Sequence, residues 1–243
     1  MRTWNLLLST ISLILLIPAD CSLSVTSYQL MTDASYGASS LGPSWTSGTA
    51  LACVRTCLLL YGACYSFVYN SGQCTPGSKL TYGTSRPASG GKFYYTDYCD
   101  TTRGYRLYVY KSVVQCLYVT NTSGTFDQGR VDCAARDGRV MMAKTIDKFN
   151  LFLSIAKNVF KTFTFLGLSD LVTEGTFLWE DGEPLNDTYK TQIFLPGEPN
   201  ADTSLSDCSI ASAFGNFAGL FDGRCDLGAN PSPRYYICEP LIN

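Results

Sequence analysis

The chain has 243 residues, 46% of them hydrophobic, with 18 Lys and Arg against 20 Asp and Glu and no histidine. The missing imidazole excludes Ser-His-Asp and Cys-His nucleophile pairs and the zinc sets that use histidine, so an enzyme is not expected. The near-balanced, scattered charge argues against a nucleic-acid partner.

Arg2 precedes an apolar run from Leu6 to Ile17, followed by Pro18 and Ala19-Asp20-Cys21. This pattern predicts a signal peptide over residues 1–21. The run is shorter than the roughly 20 residues of a membrane span, so no membrane insertion is expected. The expectation is a secreted, extracellular protein. Of 11 cysteines, removal of Cys21 leaves an even set, which in a secreted chain reads as five disulfides. Asn121-Thr122-Ser123 and Asn186-Asp187-Thr188 are glycosylation sequons, implying a glycoprotein.

Thirteen of the 16 tyrosines fall at or before Tyr118, and acidic groups thicken between Asp170 and Asp226. That shift divides the mature chain into domains over 22–113 and 114–243. The first centres on residues 50–60, whose composition is helical. Cys53 and Cys57 stand four apart there, on one helical face. Strand-like residues 64–69, a turn at Asn70-Ser71-Gly72 and Cys74 follow. A helix pinned twice onto a hairpin accounts for this pattern. Over roughly residues 28–111 it resembles the PAN/apple family, whose core has such a helix with two bridges, here Cys57–Cys64 and Cys53–Cys74. The tyrosines fit either a ligand surface or a thin core with wet hydroxyls, and the second is the expectation.

In the second domain, residues 126–136 carry helical spacing. A second helix is read after Asp147, its expected N-cap, through Phe149, Leu151, Phe152 and Ile155. Strands are expected at 163–170 and 177–182. From Cys116 to the end these elements resemble the C-type lectin family. Phe165-Leu166-Gly167-Leu168 stands for its Trp-Ile-Gly-Leu strand and Gly197-Glu198-Pro199-Asn200 for its ligand loop. The resemblance implies Cys133–Cys238 and Cys208–Cys225. Cys99 and Cys116 then remain for a fifth bridge, on resemblance and arithmetic together.

A carboxylate and a carboxamide flanking a proline suit a hard, oxygen-seeking cation. The resemblance makes Glu198 and Asn200 calcium ligands that also hydrogen-bond a sugar, with Glu198-Pro199 a cis bond, and it adds Asp222 as ligand and sugar contact. Glu-Pro-Asn goes in the family with mannose-type equatorial hydroxyls. Two positions depart from the pattern: Ser206, a weak ligand, stands where the family has a carboxylate, and Phe221 where it has an amide. An auxiliary metal site is implied at Asp170, Glu174 and Asp207, although Ala201 replaces one further carboxylate. A solvated acidic loop is the other reading of that cluster. Gly182-Glu183-Pro184-Leu185-Asn186 mimics the motif, but too close to Trp179.

The expectation is therefore an α+β protein: a PAN/apple-like helix-on-antiparallel-sheet domain, then a C-type lectin-like domain with two helices, antiparallel strands and a long loop region. Its expected function is calcium-dependent recognition of mannose-type glycans or glycoproteins, in innate recognition. The alternative is a calcium-independent protein-interaction or extracellular-matrix module, in which Phe221 supplies contact area. The oligomeric state is left open.

Overall fold

In the computed structural model, residues 11–14, 25–62, 64–88, 90–200, 206–212, 219–227 and 233–241 are described. The chain divides into two units, Met1–Cys99 and Asp100–Asn243.

In the first unit, β1 (Ile11–Ile14), β2 (Val25–Met31), β3 (Tyr36–Gly37), β4 (Trp45–Thr46), α1 (Ala50–Tyr61), β5 (Ser66–Asn70), β6 (Gln73–Gly77), β7 (Thr81–Tyr82) and β8 (Lys92–Thr96) follow in order. Six strands form one antiparallel sheet, β1-β2-β8-β5-β6-β4, and β3 pairs with β7. Strand β1 lies inside the segment expected as a signal peptide; residues 1–10 and 15–24, Cys21 among them, lie outside the described residues. Thr49 caps α1 by accepting from the Ala52 N–H, and Gly62, at φ 69°, ends it. Cys53, Val54 and Cys57 are the buried face of α1. Disulfides Cys53–Cys74 and Cys57–Cys64 pin that face to the β5–β6 hairpin, and Ser71 and Gly72 make its turn at φ 45° and 86°. Tyrosines do fill this thin core: Phe67 stacks on Tyr94 at 4.9 Å and meets Tyr28 edge-on at 5.3 Å. The Tyr28 hydroxyl, however, donates to the Cys64 carbonyl and is not left to water.

The second unit runs β9 (Arg106–Tyr110), β10 (Val113–Val119), α2 (Phe126–Ala134), β11 (Gly138–Val140), α3 (Ile146–Ile155), β12 (Phe163–Ser169), β13 (Leu178–Trp179), α4 (Asp187–Ile193), β14 (Cys208–Ala211), β15 (Leu220–Gly223) and β16 (Arg234–Pro240). Its sheet order is β15-β14-β12-β16-β10-β9, with β13 on β12 and β11 on β16. The strands pair antiparallel as expected, apart from the β12–β16 pair, which is parallel. The expected 113/114 boundary also moves, because β9 forms a hairpin with β10 in register from Tyr110↔Val113 to Arg106↔Leu117. A hairpin cannot be divided without orphaning its ladder, so both strands belong to the second unit.

Among the described residues of this unit there are three α-helices, not two. Thr125 opens α2 in a capping box with Gln128. Thr145, not Asp147, caps α3; Asp147 sits in the first turn and accepts from the Ser112 hydroxyl at 2.5 Å. The third helix, α4, begins where the motif-like Gly182–Asn186 segment ends: Asn186 caps it by accepting from the Thr188 and Tyr189 N–H groups. Leu117, Phe149, Phe152, Leu166, Leu168, Trp179 and Ile237 belong to the core. Glu239, 1% exposed, closes the last strand by accepting from Gln115 Nε2, Arg139 Nε and Lys148 Nζ. Cys133–Cys238 ties α2 to β16, and Cys208–Cys225 closes the loop end of the sheet. Cys99 and Cys116 are each disulfide-bonded.

Candidate functional site

The chain leaving α4 is sewn to β15 before it reaches the proline motif. Phe194 bridges Leu220 in parallel, and the Leu195 N–H donates to the Leu220 carbonyl at 2.8 Å. A tight turn follows: the Glu198 N–H donates back to the Leu195 carbonyl at 2.9 Å, with Gly197 at φ 86°. That left-handed conformation is what reserves position 197 for glycine. The Glu198-Pro199 bond is cis.

Beyond the turn, the Asn200 N–H donates to Asp222 Oδ1 at 3.0 Å and Asn200 Nδ2 donates to Glu198 Oε1 at 3.3 Å. Glu198, Asn200 and Asp222 are thus gathered at one place. Asp222 is 8% exposed, and Glu198 Oε2 is buried without a hydrogen-bond partner. Burial, together with the Asp222 carboxylate beside it, pushes the Glu198 carboxyl up to about 7. Two partly buried carboxylates this close favour a proton or a cation between them. The donors are all oxygen, two carboxylates and an amide, which fits calcium and not a softer metal.

Phe221 does not intrude on this group. Neighbours on a strand point to opposite faces. Asp222 meets the Asn200 loop, while the Phe221 ring lies edge-on to Phe163 at 5.7 Å, near the Arg234 guanidinium that covers Phe163 and Phe165. The amide expected at that position is therefore missing, but nothing bulky replaces it in the site. Ser206 is half-buried, and residues 201–205, including Ala201, lie outside the described residues.

The auxiliary residues behave differently. Asp170 is 4% exposed; its Oδ2 accepts from the Gly175 N–H at 2.9 Å and its own N–H donates to the Asp207 carbonyl at 3.0 Å. Its Oδ1 is buried without a partner, and burial, with Glu174 and Asp207 nearby, holds the carboxyl above its usual range. Among the described residues, no three or more His, Cys, Asp or Glu side chains come together as a metal cluster. The Asp170 side chain braces its own loop through the Gly175 N–H, with Glu174 and Asp207 near enough to hold its carboxyl up. The Glu198 site contains only two carboxylates and draws its third donor from an amide.

Residues 122–240 match the family model Lectin C-type domain. Residues 122–240 form a C-type lectin domain. The lectin family generally performs no catalysis, in agreement with the histidine-free sequence. Among curated relatives, the CD209 antigen of Pongo pygmaeus is 32% identical over 124 residues, covering 51% of this chain and 28% of that protein. The C-type lectin domain family 4 member M of Nomascus concolor is 29% identical over the same length, again 51% of this chain and 28% of that protein. The chain thus spans under a third of the curated relatives it matches. Among solved structures, the cow CD23 C-type carbohydrate-recognition domain, determined in the presence of GlcNAc2Man3 oligosaccharide, matches at 21% identity with TM-score 0.47, covering 60% of this chain and 98% of that one.

Sequence reasoning singled out Glu198, Asn200 and Asp222, which the structure gathers at one place, but missed what positions them. The Asn186 cap, helix α4 and the Leu195–Leu220 link all precede the motif and carry no ligand chemistry. The sequon asparagine followed by Asp187 was the available signal, since Asn is a strong N-cap.

Proposed function

We propose that this protein is a secreted lectin that binds mannose-type glycans or glycoproteins through a calcium ion held by Glu198, Asn200 and Asp222. The reading is carried by one observation: the buried, unpartnered Glu198 Oε2 beside the Asp222 carboxylate, with the Asn200 amide on the same locus. When bound, calcium would supply coordination positions for two vicinal sugar hydroxyls. The chain's own groups orient the sugar: the Glu198 carboxylate accepts from one hydroxyl and Asn200 Nδ2 donates to the other. With Ser206 as a weak contributor, protein atoms provide fewer than the six to eight oxygens calcium takes, so affinity belongs in the range of loose extracellular sites, about 10⁻⁴–10⁻³ M.

The first unit, with its helix doubly bridged to a hairpin, is proposed as a PAN/apple-like module. Asn121 and Asn186 are proposed glycan carriers; both are exposed. Weak single sites serve recognition when several engage together, which suits the proposed role in innate recognition. The test is a glycan array probed with the full secreted protein, with calcium and with excess EDTA. Mannose-type binding abolished by EDTA is expected. Absence of glycan binding in both conditions would favour a calcium-independent protein-interaction module.

A further inference from the structure

Helix α1 buries Cys53, Val54 and Cys57, yet its outward half is apolar as well. Leu51 is 46% exposed, Leu59 77% and Leu60 63%, and Arg55 is the only charged residue in the helix. A surface helix ordinarily turns a polar stripe to water, and one that is apolar all round is covered. The patch continues past the helix end. A Cβ on Gly42 would collide with the Tyr61 hydroxyl, so the 41–42 segment abuts the last turn, and Leu41 there is 38% exposed. Leucines grouped in this way differ from the single apolar side chains that any surface carries.

Charge around the patch has one sign. From Ala34 to Thr96 the chain contains no Asp or Glu but four basic residues, Arg55, Lys79, Arg86 and Lys92. Arg55 stands one turn before Leu59 on the exposed arc. Lys92, exposed on β8, shares the α1 side of that strand with Tyr94, which packs into the core beneath the helix. Like charge opposes a second copy of the same face, and four leucines fall well short of the roughly 800 Å² per partner of a stable protein interface. A polyanion would use the charge and leave the leucines wet. An anionic lipid surface uses both: the leucines enter the boundary between headgroups and acyl chains while the cations meet the headgroups.

We propose that the outward face of α1, together with Leu41, docks the first unit onto an anionic lipid surface. The docking is peripheral: among the described residues, no helix is long and apolar enough to cross a membrane. It stands apart from the sugar-binding reading, since none of these residues belongs to the Glu198 group.

The test is flotation of the full chain with vesicles of phosphatidylcholine, with and without added phosphatidylserine, in EDTA so that calcium at Glu198 plays no part. The chain should bind the mixed vesicles and not phosphatidylcholine alone, and binding should fall several-fold as sodium chloride screens the headgroups. The double substitution Leu59→Ser and Leu60→Ser should weaken binding about tenfold, with Tm unchanged because both side chains lie outside the core. Leu59→Trp should keep binding and add an emission component that shifts to the blue on the mixed vesicles. No binding to the mixed vesicles, binding that the double substitution leaves intact, or an emission from Leu59→Trp that vesicles leave unshifted would overturn the docking face. So would a dimer in solution that the double substitution disperses, which would assign the patch to a second copy of the chain.

Discussion

Asp222 accepts a hydrogen bond from the backbone N–H of Asn200 at 3.0 Å, so one carboxylate both tethers the proline loop to β15 and faces the Glu198 side chain. This double duty makes Asp222 the position where loop geometry and ligand chemistry meet. Asp222→Asn retains an acceptor for the Asn200 N–H but removes a charge. It should weaken calcium about 100-fold by titration, a loss of about 2.7 kcal/mol. Thermal stability without calcium should change little.

The Glu198 carboxyl gives the site a pH signature. In the folded, ion-free protein it holds its proton up to about 7, while the unfolded chain releases it near the ordinary carboxylate value. Between those values the folded state binds more protons, so its contribution to stability is fully present at low pH and is lost as pH rises through about 7. Tm in EDTA should therefore fall between about pH 5 and pH 8, other groups being equal. The Tm increment from added calcium should grow over the same window, because ion and proton compete for one carboxylate.

Phe221 separates the lectin reading from its rival. Its ring packs against Phe163, on the strand face opposite Asp222. Phe221→Ala should cost about 1–2 kcal/mol of stability, since the ring is only half-buried. Calcium affinity should stay within about twofold, read by the same titration used for Asp222→Asn. A loss of calcium binding as large as that of Asp222→Asn would place the ring in the site after all.

Glu239 anchors the C-terminal strand on which the domain closes. Its carboxylate is 1% exposed and engages Gln115, Arg139 and Lys148. Glu239→Ala strands two cations that are themselves only partly exposed, and should cost about 3 kcal/mol in denaturant unfolding. Glu239→Gln, which keeps an acceptor for the cations, should cost less.

The elements that sequence revealed are those whose chemistry is local. Cys53 and Cys57 announce a helix face, Asn70-Ser71-Gly72 a hairpin, and Glu198-Pro199-Asn200 a loop with a cis proline bond. Parallel pairing of β12 with β16, the allegiance of β9 to the second unit and the exact cap of α3 were not legible. Each depends on partners distant in sequence. Thr145 and Asp147 are both competent cap residues; Thr145 caps the helix, while the Asp147 carboxylate engages Ser112 and Lys111. The bracing of the Asp170 loop was hidden for a similar reason: the spacing shows three carboxylates but not that the Gly175 N–H engages one of the Asp170 oxygens.

The central claim, calcium held between Glu198 and Asp222 for the purpose of sugar recognition, is tested most directly by mannose-type glycan binding to the full chain with calcium and with EDTA, beside the Asp222→Asn variant. The account predicts binding that EDTA abolishes and that the variant loses at the calcium concentration sufficient for the parent. Glycan binding that survives both EDTA and Asp222→Asn would contradict it and place recognition elsewhere in the chain.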